Sequence, residues 1–539
     1  RAIDLMVRRM PGVTVSMGVW QLVRSPGQYT RLTLLLMMAV AVGTFAASYT
    51  ATANRSYQDR ARFEAGVDVR GTTRSPFGIT GNVEQVETAA AELPGVERAA
   101  AVIRTSGTQA SASGTGGPGV QVLAIDQTAA AMLWSRGDFA SEPFDELLAK
   151  LGGSTRLGGK VIPESAAGLR IWLSTDRARP DVTVWARVRD EAGRHALVEF
   201  GKLDFEGQWV QREARFDSPS TRGMQAPLTL VAIVLTQPAN SFNPTTDPLY
   251  LDDITAFDAE GGETVVEDFE AGVRWEAVPS RTAFQDEFAV SDERTHSGQL
   301  AARLGFRLGA TGGRRGIYLA DENIPLPAIA STAFMARAGL EVGSTTLLDI
   351  GGSLVPVAIR GSYELFPTME SRQGPSIVLN RDMVMSWAET FTFVQGELHR
   401  VNEVWFDLEE GADRDAFAVA ARQRFGLQNI VDIEERLRSI ETNPLIAASG
   451  TGILMLAFLS ILVLVGVALL VSLWMAVQRR WVEFAVLRAL GLSRWQILGQ
   501  LTLEYAVVAV LGLATGTYLG QVVGRRMLSF LDVTETGLP

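Results

Sequence analysis

Three stretches without a single charged side chain decide most of what this chain can fold into. Leu32 to Asn54 covers 23 residues, Thr442 to Gln478 covers 37, and Tyr505 to Gly524 covers 20. A helix needs about 20 apolar residues to cross a hydrocarbon core of about 30 Å. The first and third runs therefore suit one crossing each. From Leu454 the middle run is apolar on every face, unlike the one-sided pattern of a helix packed on a soluble core. As one continuous helix its 37 residues would reach about 55 Å at about 1.5 Å per residue. The surplus around Pro444 to Ser449 is expected to project from the bilayer as a stalk.

Charge sets the orientation. Residues 1–31 carry five arginines against Asp4, residues 478–504 carry four against Glu483 and Glu504, and Arg525 and Arg526 are balanced by Asp532 and Glu535. The first two segments, at +4 and +2, are expected to be cytoplasmic because basic residues near membrane ends stay inside. Of a total charge of −11, the roughly 390 residues between the first two crossings then hold −17. They form an acidic external domain, and no nucleic-acid partner is expected. A mean hydropathy just above zero agrees with a large ectodomain on a few spanning helices. The chain has no cysteine, which excludes disulfides, thiolate metal sites and cysteine nucleophiles.

Between the second and third runs lies RRWVEFAVLRALGLSRWQILGQLTLE, from Arg479 to Glu504. Gly491 suits a helix C-terminus because glycine accepts the left-handed conformation. Ser493 with Gln496 has capping-box spacing, and Leu492 with Ile497 occupies hydrophobic-staple positions. A helix stop and a helix start thus lie three residues apart, which predicts a shaped elbow. Arg480, Glu483, Leu487, Arg488, Ala489, Leu490, Gly491, Ser493, Ile497 and Glu504 together resemble the R-x-x-E-x-x-x-L-R-A-L-G-x-S-x-x-x-I pattern of FtsX-like ABC transporter permeases, the superfamily that includes MacB and the lipoprotein-release permeases. The resemblance implies that Arg480, Glu483, Leu487, Arg488, Gly491 and Ser493 belong to a coupling segment. That segment would meet a separate cytoplasmic ABC ATPase, whose ATP and Mg are not bound by this chain. It also implies a fourth helix beyond the C-terminus, and the opening residues resemble the join before a second permease half.

The expected fold is a membrane α-helical permease carrying a large α+β extracytoplasmic domain with an inserted jelly-roll-like β-sandwich. Residues 1–31 are read as a cytoplasmic or interfacial segment, with Val13 to Val23 an amphipathic helix, and residues 32–54 as the first crossing. Residues 55–164 and 313–441 form the two parts of the α+β domain, which resembles the split external domain of MacB-like permeases, and 165–312 form the sandwich. Residues 442–478 are stalk and helix, 479–494 the coupling segment, 495–524 the third crossing and 525–539 an outer segment. VDVRG, VERAAAVIR and VQVLAIDQ read as strands, VEQVETAAAEL, Asp413 to Phe425 and Ile433 to Ile440 as helices, and Thr105 to Gly119 as a flexible loop.

PLYLDDITAFD and VVEDFEAGVRWEAV are similar to pieces of carbohydrate-binding jelly rolls, in permuted order. The resemblance makes Trp172, Trp185, Trp209 and Trp275 candidates for a sugar-stacking surface or for core. Asp252, Asp253, Glu267 and Asp268 could hold a calcium ion or form a solvated acidic edge. Catalytic motifs are absent. LGGSTRLGGKV has Ser154 where a phosphate loop needs its first glycine and Val161 where it needs Ser or Thr. The only histidines are His195, His296 and His399, so an H-E-x-x-H zinc site is excluded. No enzyme is expected.

Gly512, Gly516, Gly520 and Gly524 recur every four residues along one side of the third crossing, the small-residue pattern of close helix packing. Glu504 reads either as an interfacial carboxylate or as a buried partner for an arginine such as Arg494. The chain is thus expected to be a multi-pass inner-membrane permease subunit. Its partners would be an ABC ATPase, membrane lipid and a second permease unit or copy, and its cargo a lipoprotein, lipid, peptide or drug. A division-type regulator of an external cell-wall hydrolase and a carbohydrate-binding membrane receptor are the other readings.

Overall fold

The computed structural model describes residues 26–531 apart from 76–77, 111–116, 153–156, 239–246, 271–273, 280–284, 308–314, 321–323, 370–373, 392–400 and 443–451. The amphipathic segment Val13 to Val23, the stalk around Pro444 to Ser449, Ser154 and His399 lie outside the described residues. Two compact units emerge, one from the residues up to Ala61 with those from Glu434 onward, the other Arg62–Ile433.

Helix α1 (Pro26–Ala65) opens on proline, whose missing N–H and fixed φ suit a first helical turn. It has 40 residues and so outruns the uncharged stretch by eleven at its far end. The residues there, such as Arg55, Gln58 and Arg60, are sound helix formers, and loss of hydrophobicity alone does not stop a helix.

In the second unit the chain passes through β1 (Val69–Thr72), α2 (Val83–Ala91), β2 (Val96–Gln109), β3 (Gly119–Ile125), α3 (Gln127–Met132) and α4 (Phe144–Ala149). Twelve short strands follow: β4 (Lys160–Val161), β5 (Ala166–Thr175), β6 (Arg179–Arg189), β7 (His195–Leu203), β8 (Val210–Arg215), β9 (Thr229–Thr236), β10 (Leu249–Asp258), β11 (Glu263–Glu267), β12 (Trp275–Ala277), β13 (Glu287–Ser291), β14 (Ala301–Gly305) and β15 (Arg315–Leu319). The chain then returns through β16 (Leu326–Ser331), α5 (Thr332–Ala338), β17 (Thr345–Ile350), β18 (Ser353–Tyr363), β19 (Ser376–Asn380), α6 (Arg381–Phe391), β20 (Glu403–Leu408), α7 (Arg414–Phe425) and β21 (Asn429–Asp432).

Strands from before and after the twelve-strand stretch interleave in one nine-stranded sheet of order β17-β18-β16-β19-β3-β2-β20-β1-β21. Neither flank could complete it alone. Part of the expected loop from Thr105 is strand: β2 runs on to Gln109, pairing with β3 on one side and β17 on the other. The ladder hydrogen bonds of two neighbours outweigh the weak strand preference of Ser106 and Gly107.

The twelve strands form two antiparallel sheets, β13-β14-β10-β5-β8 with β11 on β10, and β12-β15-β9-β6-β7 with β4 on β9. Alternate residues such as Leu169, Ile171 and Leu173 of β5 and Val184, Ala186 and Val188 of β6 are buried in one core shared by both sheets. Strands β4 and β15 lie outside the expected limits 165 and 312 yet pair into the second sheet. That sheet's other face is not solvated. Ala232, Val234 and Tyr318 join Trp387 and Phe391 of α6 in a second core, and the Tyr318 ring meets those of Trp387 and Phe391 edge-on at 5.2 and 5.5 Å. Arg187 is buried there and donates to the carbonyl of Glu389; burial outweighs the Glu389 carboxylate and lowers Arg187 to about 10.

Across strands β2, β20 and β1 of the nine-stranded sheet a buried carboxylate draws together residues some 300 positions apart. Glu403 is fully buried. Arg104 donates to it from Nε at 2.6 Å and from Nη2 at 3.1 Å, and Trp405 from its indole N–H at 2.7 Å. Arg70 adds an ion pair at 3.6 Å. Burial alone would raise this carboxyl, but Arg104 and then Arg70 overrule it and hold it below the usual range.

The first unit continues with α8 (Ile433–Thr442), α9 (Ile453–Arg479), α10 (Trp481–Ala489) and α11 (Arg494–Leu531). Within α1, α9 and α11, Tyr29–Ala65, Ile453–Arg479 and Arg494–Arg526 are long and apolar enough to cross a membrane.

Candidate coupling site

The elbow between α9 and α11 is built from local rules. Helix α9 stops at Arg480, whose φ and ψ of −109° and 13° break the helical path. After the nine residues of α10 the chain turns at Gly491 with φ of 93°, a value that penalises any side chain. The N–H groups of Gly491 and Leu492 return to the carbonyls of Arg488 and Leu487, both at 3.1 Å, so the last turn of α10 is closed. Helix α11 then starts with a reciprocal cap. The Ser493 N–H donates to Gln496 Oε1 at 2.8 Å and the Gln496 N–H to Ser493 Oγ at 3.3 Å.

Helix α10 buries none of its residues within the described structure. Trp481 is 75% exposed, Val482 74%, and Trp495 just past the elbow 80%. Val486 and Arg488 are also exposed, while Leu487 is half-buried. Trp481, Val482 and Val486 on so short an element, with Trp495 just beyond the elbow, form a surface suited to a partner or to lipid headgroups.

Arg480 anchors the near end of this element. Its Nε donates to Glu483 Oε2 at 3.0 Å and its Nη1 to Glu504 Oε2 at 3.0 Å. Its guanidinium lies 5.3 Å from the Phe484 ring centroid. Glu504 is only 1% exposed. It is a buried ionic partner, and its arginine is Arg480 rather than Arg494. Arg494 is exposed at the start of α11, ten residues and nearly three turns before Glu504. Tyr29 of α1 donates its hydroxyl to Glu504 Oε2 at 2.6 Å and Gln500 donates to Oε1 at 3.3 Å. The Tyr29 and Tyr505 rings meet edge-on at 6.4 Å.

Along α11 three of the four glycines, Gly512, Gly516 and Gly520, face α1 at close range. A Cβ at Gly516 would stand 2.7 Å from the carbonyl oxygen of Met37 and from Val40 Cβ. One at Gly520 would stand 2.7 Å from the Ala41 carbonyl oxygen and from Thr44 Cβ. At Gly512 it would meet the Leu36 side chain at 2.8 Å, and at Gly524 nothing within 4 Å.

Residues 455–537 match the family model of the FtsX-like permease C-terminal domain. The chain carries a domain of the FtsX-like permease superfamily. The matched segment contains α10, its two caps, Glu504 and all four glycines of α11. Permeases of this family are transport components of ABC systems and work with a cytoplasmic ABC ATPase. Comparison with the curated proteins gives no match.

The sandwich candidates separate. Trp172 and Trp209 gather around His296, whose ring stacks on Trp172 at 3.8 Å and meets Trp209 edge-on at 5.9 Å. One face of Trp172 is therefore already covered. Trp185 belongs to the other sheet and donates to Thr236 Oγ1 at 2.9 Å. Trp275 is buried in the core and donates to Glu267 Oε2 at 3.0 Å. Asp252 accepts backbone N–H groups of Asp253, His296 and Ser297 at 2.9, 2.8 and 3.3 Å. Asp253 holds His296 Nδ1 at 2.7 Å and Ser297 Oγ at 2.9 Å. With their oxygens committed to these donors, the two aspartates shape a loop, and no trio of His, Asp or Glu suited to a metal occurs among the described residues. Glu267 carries Trp275, the Phe269 N–H at 3.1 Å and Lys160 at 3.1 Å, and Asp268 accepts the Glu270 N–H at 3.1 Å.

Two pairings escape the sequence reading, Glu403 with Arg104 and Glu504 with Tyr29. The sequence marks Glu504 itself as interfacial or as a buried partner for an arginine, but nothing in it points to Tyr29, and nothing pairs Arg104 with Glu403.

Proposed function

We propose that this chain is the permease subunit of an ABC system in the plasma membrane, with α10 on the cytoplasmic side docking a separate ATPase. ATP and Mg act in that partner. Hydrolysis there drives the extracytoplasmic domain through the spanning helices, and the work done outside is export or extraction of a lipoprotein, lipid, peptide or drug. Lipid surrounds the exposed apolar helices, and a second permease unit or copy completes the transmembrane part.

The observation that carries this reading is the elbow itself. Nine residues are fixed at both ends, by Arg480 on Glu504 and by the Gly491 turn with the Ser493–Gln496 cap, yet leave Val482, Val486 and Arg488 exposed. An ordinary loop would need neither restraint. Arg488→Glu is the cleaner probe than a change at Glu483, which is already paired with Arg480. In membranes co-expressing the chain and its ATPase, Arg488→Glu should reduce ATPase co-purification several-fold while membrane insertion stays normal. Unchanged co-purification and hydrolysis would remove α10 as the docking element.

A further inference from the structure

Glu504 joins three separate pieces of the membrane unit. Its carboxylate is buried near the inner end of α11, where an unpaired charge would be very costly. Its three donors come from three places: Arg480 from the junction before α10, Tyr29 from the first turn of α1, and Gln500 from one turn earlier on α11. Arg480 in turn grips Glu483 in the first turn of α10. A tilt of α10 must carry Arg480 with it, and Arg480 cannot leave without stranding the Glu504 charge. Nor can Glu504 shift without dragging the Tyr29 hydroxyl at 2.6 Å.

The geometry points to Glu504 as a positioning residue, the pivot through which movement of α10 reaches α1 as well as α11. This deepens the permease reading and rests on it for its purpose, although the pivot itself can be tested without any ATPase. Tyr29 is the arm to α1 and Arg480 the arm to α10. The two arms share one carboxylate oxygen, Oε2, so loss of Glu504 frees both, whereas loss of the Tyr29 hydroxyl frees only one.

Because the chain has no cysteine, pairs of spin labels can be placed cleanly in the full-length protein in lipid nanodiscs. Gly27→Cys with Val486→Cys reports α1 against α10, and Val486→Cys with Leu498→Cys reports α10 against α11; all three positions are exposed. Wild type should give one narrow distance for each pair. Tyr29→Phe should broaden the first and leave the second narrow, while Glu504→Gln should broaden both. Narrow distances in Glu504→Gln, or equal broadening of both pairs by Tyr29→Phe, would overturn the pivot. With the ATPase present, Glu504→Gln should keep co-purification yet lose the ATP-dependent shift of the Gly27 label. Failure of the wild-type chain to bind any ATPase would sink the permease reading while leaving the partner-free result standing.

Discussion

Replacing the four α11 glycines one at a time by alanine tests the packing against α1 at single-atom resolution. Alanine is the better helix former by about 1 kcal/mol, so in open space the change should be neutral or stabilising. That is the situation at Gly524. At Gly516 and Gly520 the added methyl meets a backbone carbonyl oxygen and a Cβ of α1, all at 2.7 Å. Neither can swing aside, so the helix axes must part. Overpacking of this kind costs about 1–3 kcal/mol, which after the propensity gain leaves a net loss of up to about 2 kcal/mol. At Gly512 the nearest atoms belong to the Leu36 side chain, which can change rotamer, so the effect should be small. Thermal unfolding of the full-length variants in nanodiscs should therefore rank Gly524→Ala at or above wild type, Gly512→Ala slightly below, and Gly516→Ala and Gly520→Ala lowest. If the last two unfold no earlier than Gly524→Ala, α1 does not lie on the stripe and the packing argument fails.

Glu403→Gln removes the charge between Arg104 and Arg70. Breaking a buried pair costs about 3–5 kcal/mol, and with Arg104 a quarter exposed to water the lower end is expected, read as faster hydrogen exchange along β2 and β20. Because the folded carboxyl is held below its ordinary value, its contribution is full above about pH 4.3 and is lost as pH falls through the lower folded value; the gap between wild type and Glu403→Gln should close in acid, and a gap independent of pH would refute the charge argument. A fragment of residues 158–320 should unfold at a clearly higher temperature than one of 165–312, because the shorter piece lacks β4 and also β15, the strand that joins β12 to the second sheet. Equal stabilities would show those strands to be dispensable.

What could be read along the chain were features whose physics is local. A run of apolar residues is its own evidence for a membrane crossing, because insertion depends on the segment's transfer free energy and little else. The elbow was legible for the same reason. A glycine turn and a Ser-x-x-Gln cap act within four residues, and Gly491, Ser493 and Gln496 adopt the geometry their spacing foretold. The helices over Asp413 to Phe425 and Ile433 to Ile440 and the strands of VDVRG, VERAAAVIR and VQVLAIDQ likewise follow from period and composition, within two residues at the ends except where β2 runs on to Gln109.

Where local preference was weak or the partner was distant, tertiary structure decided. Thr105 to Gln109 read as loop and became strand because β3 and β17 flank it. The tryptophans looked alike in sequence, but the register of two sheets sent Trp172 to one face beside His296, Trp185 to the other sheet and Trp275 into the core. Glu504 read as interfacial or as a buried partner for an arginine such as Arg494; it is such a buried partner, but of Arg480 and of Tyr29, 24 and 475 positions away, since a buried carboxylate takes whichever donors the packing of helices delivers. The sequence by itself determined where this protein has helices long and apolar enough to cross a membrane and where the chain bends between them, because those free energies belong to short segments. Which charges meet inside it was decided only by the tertiary structure, because such pairings depend on contacts between residues that nothing in the chain's order brings together.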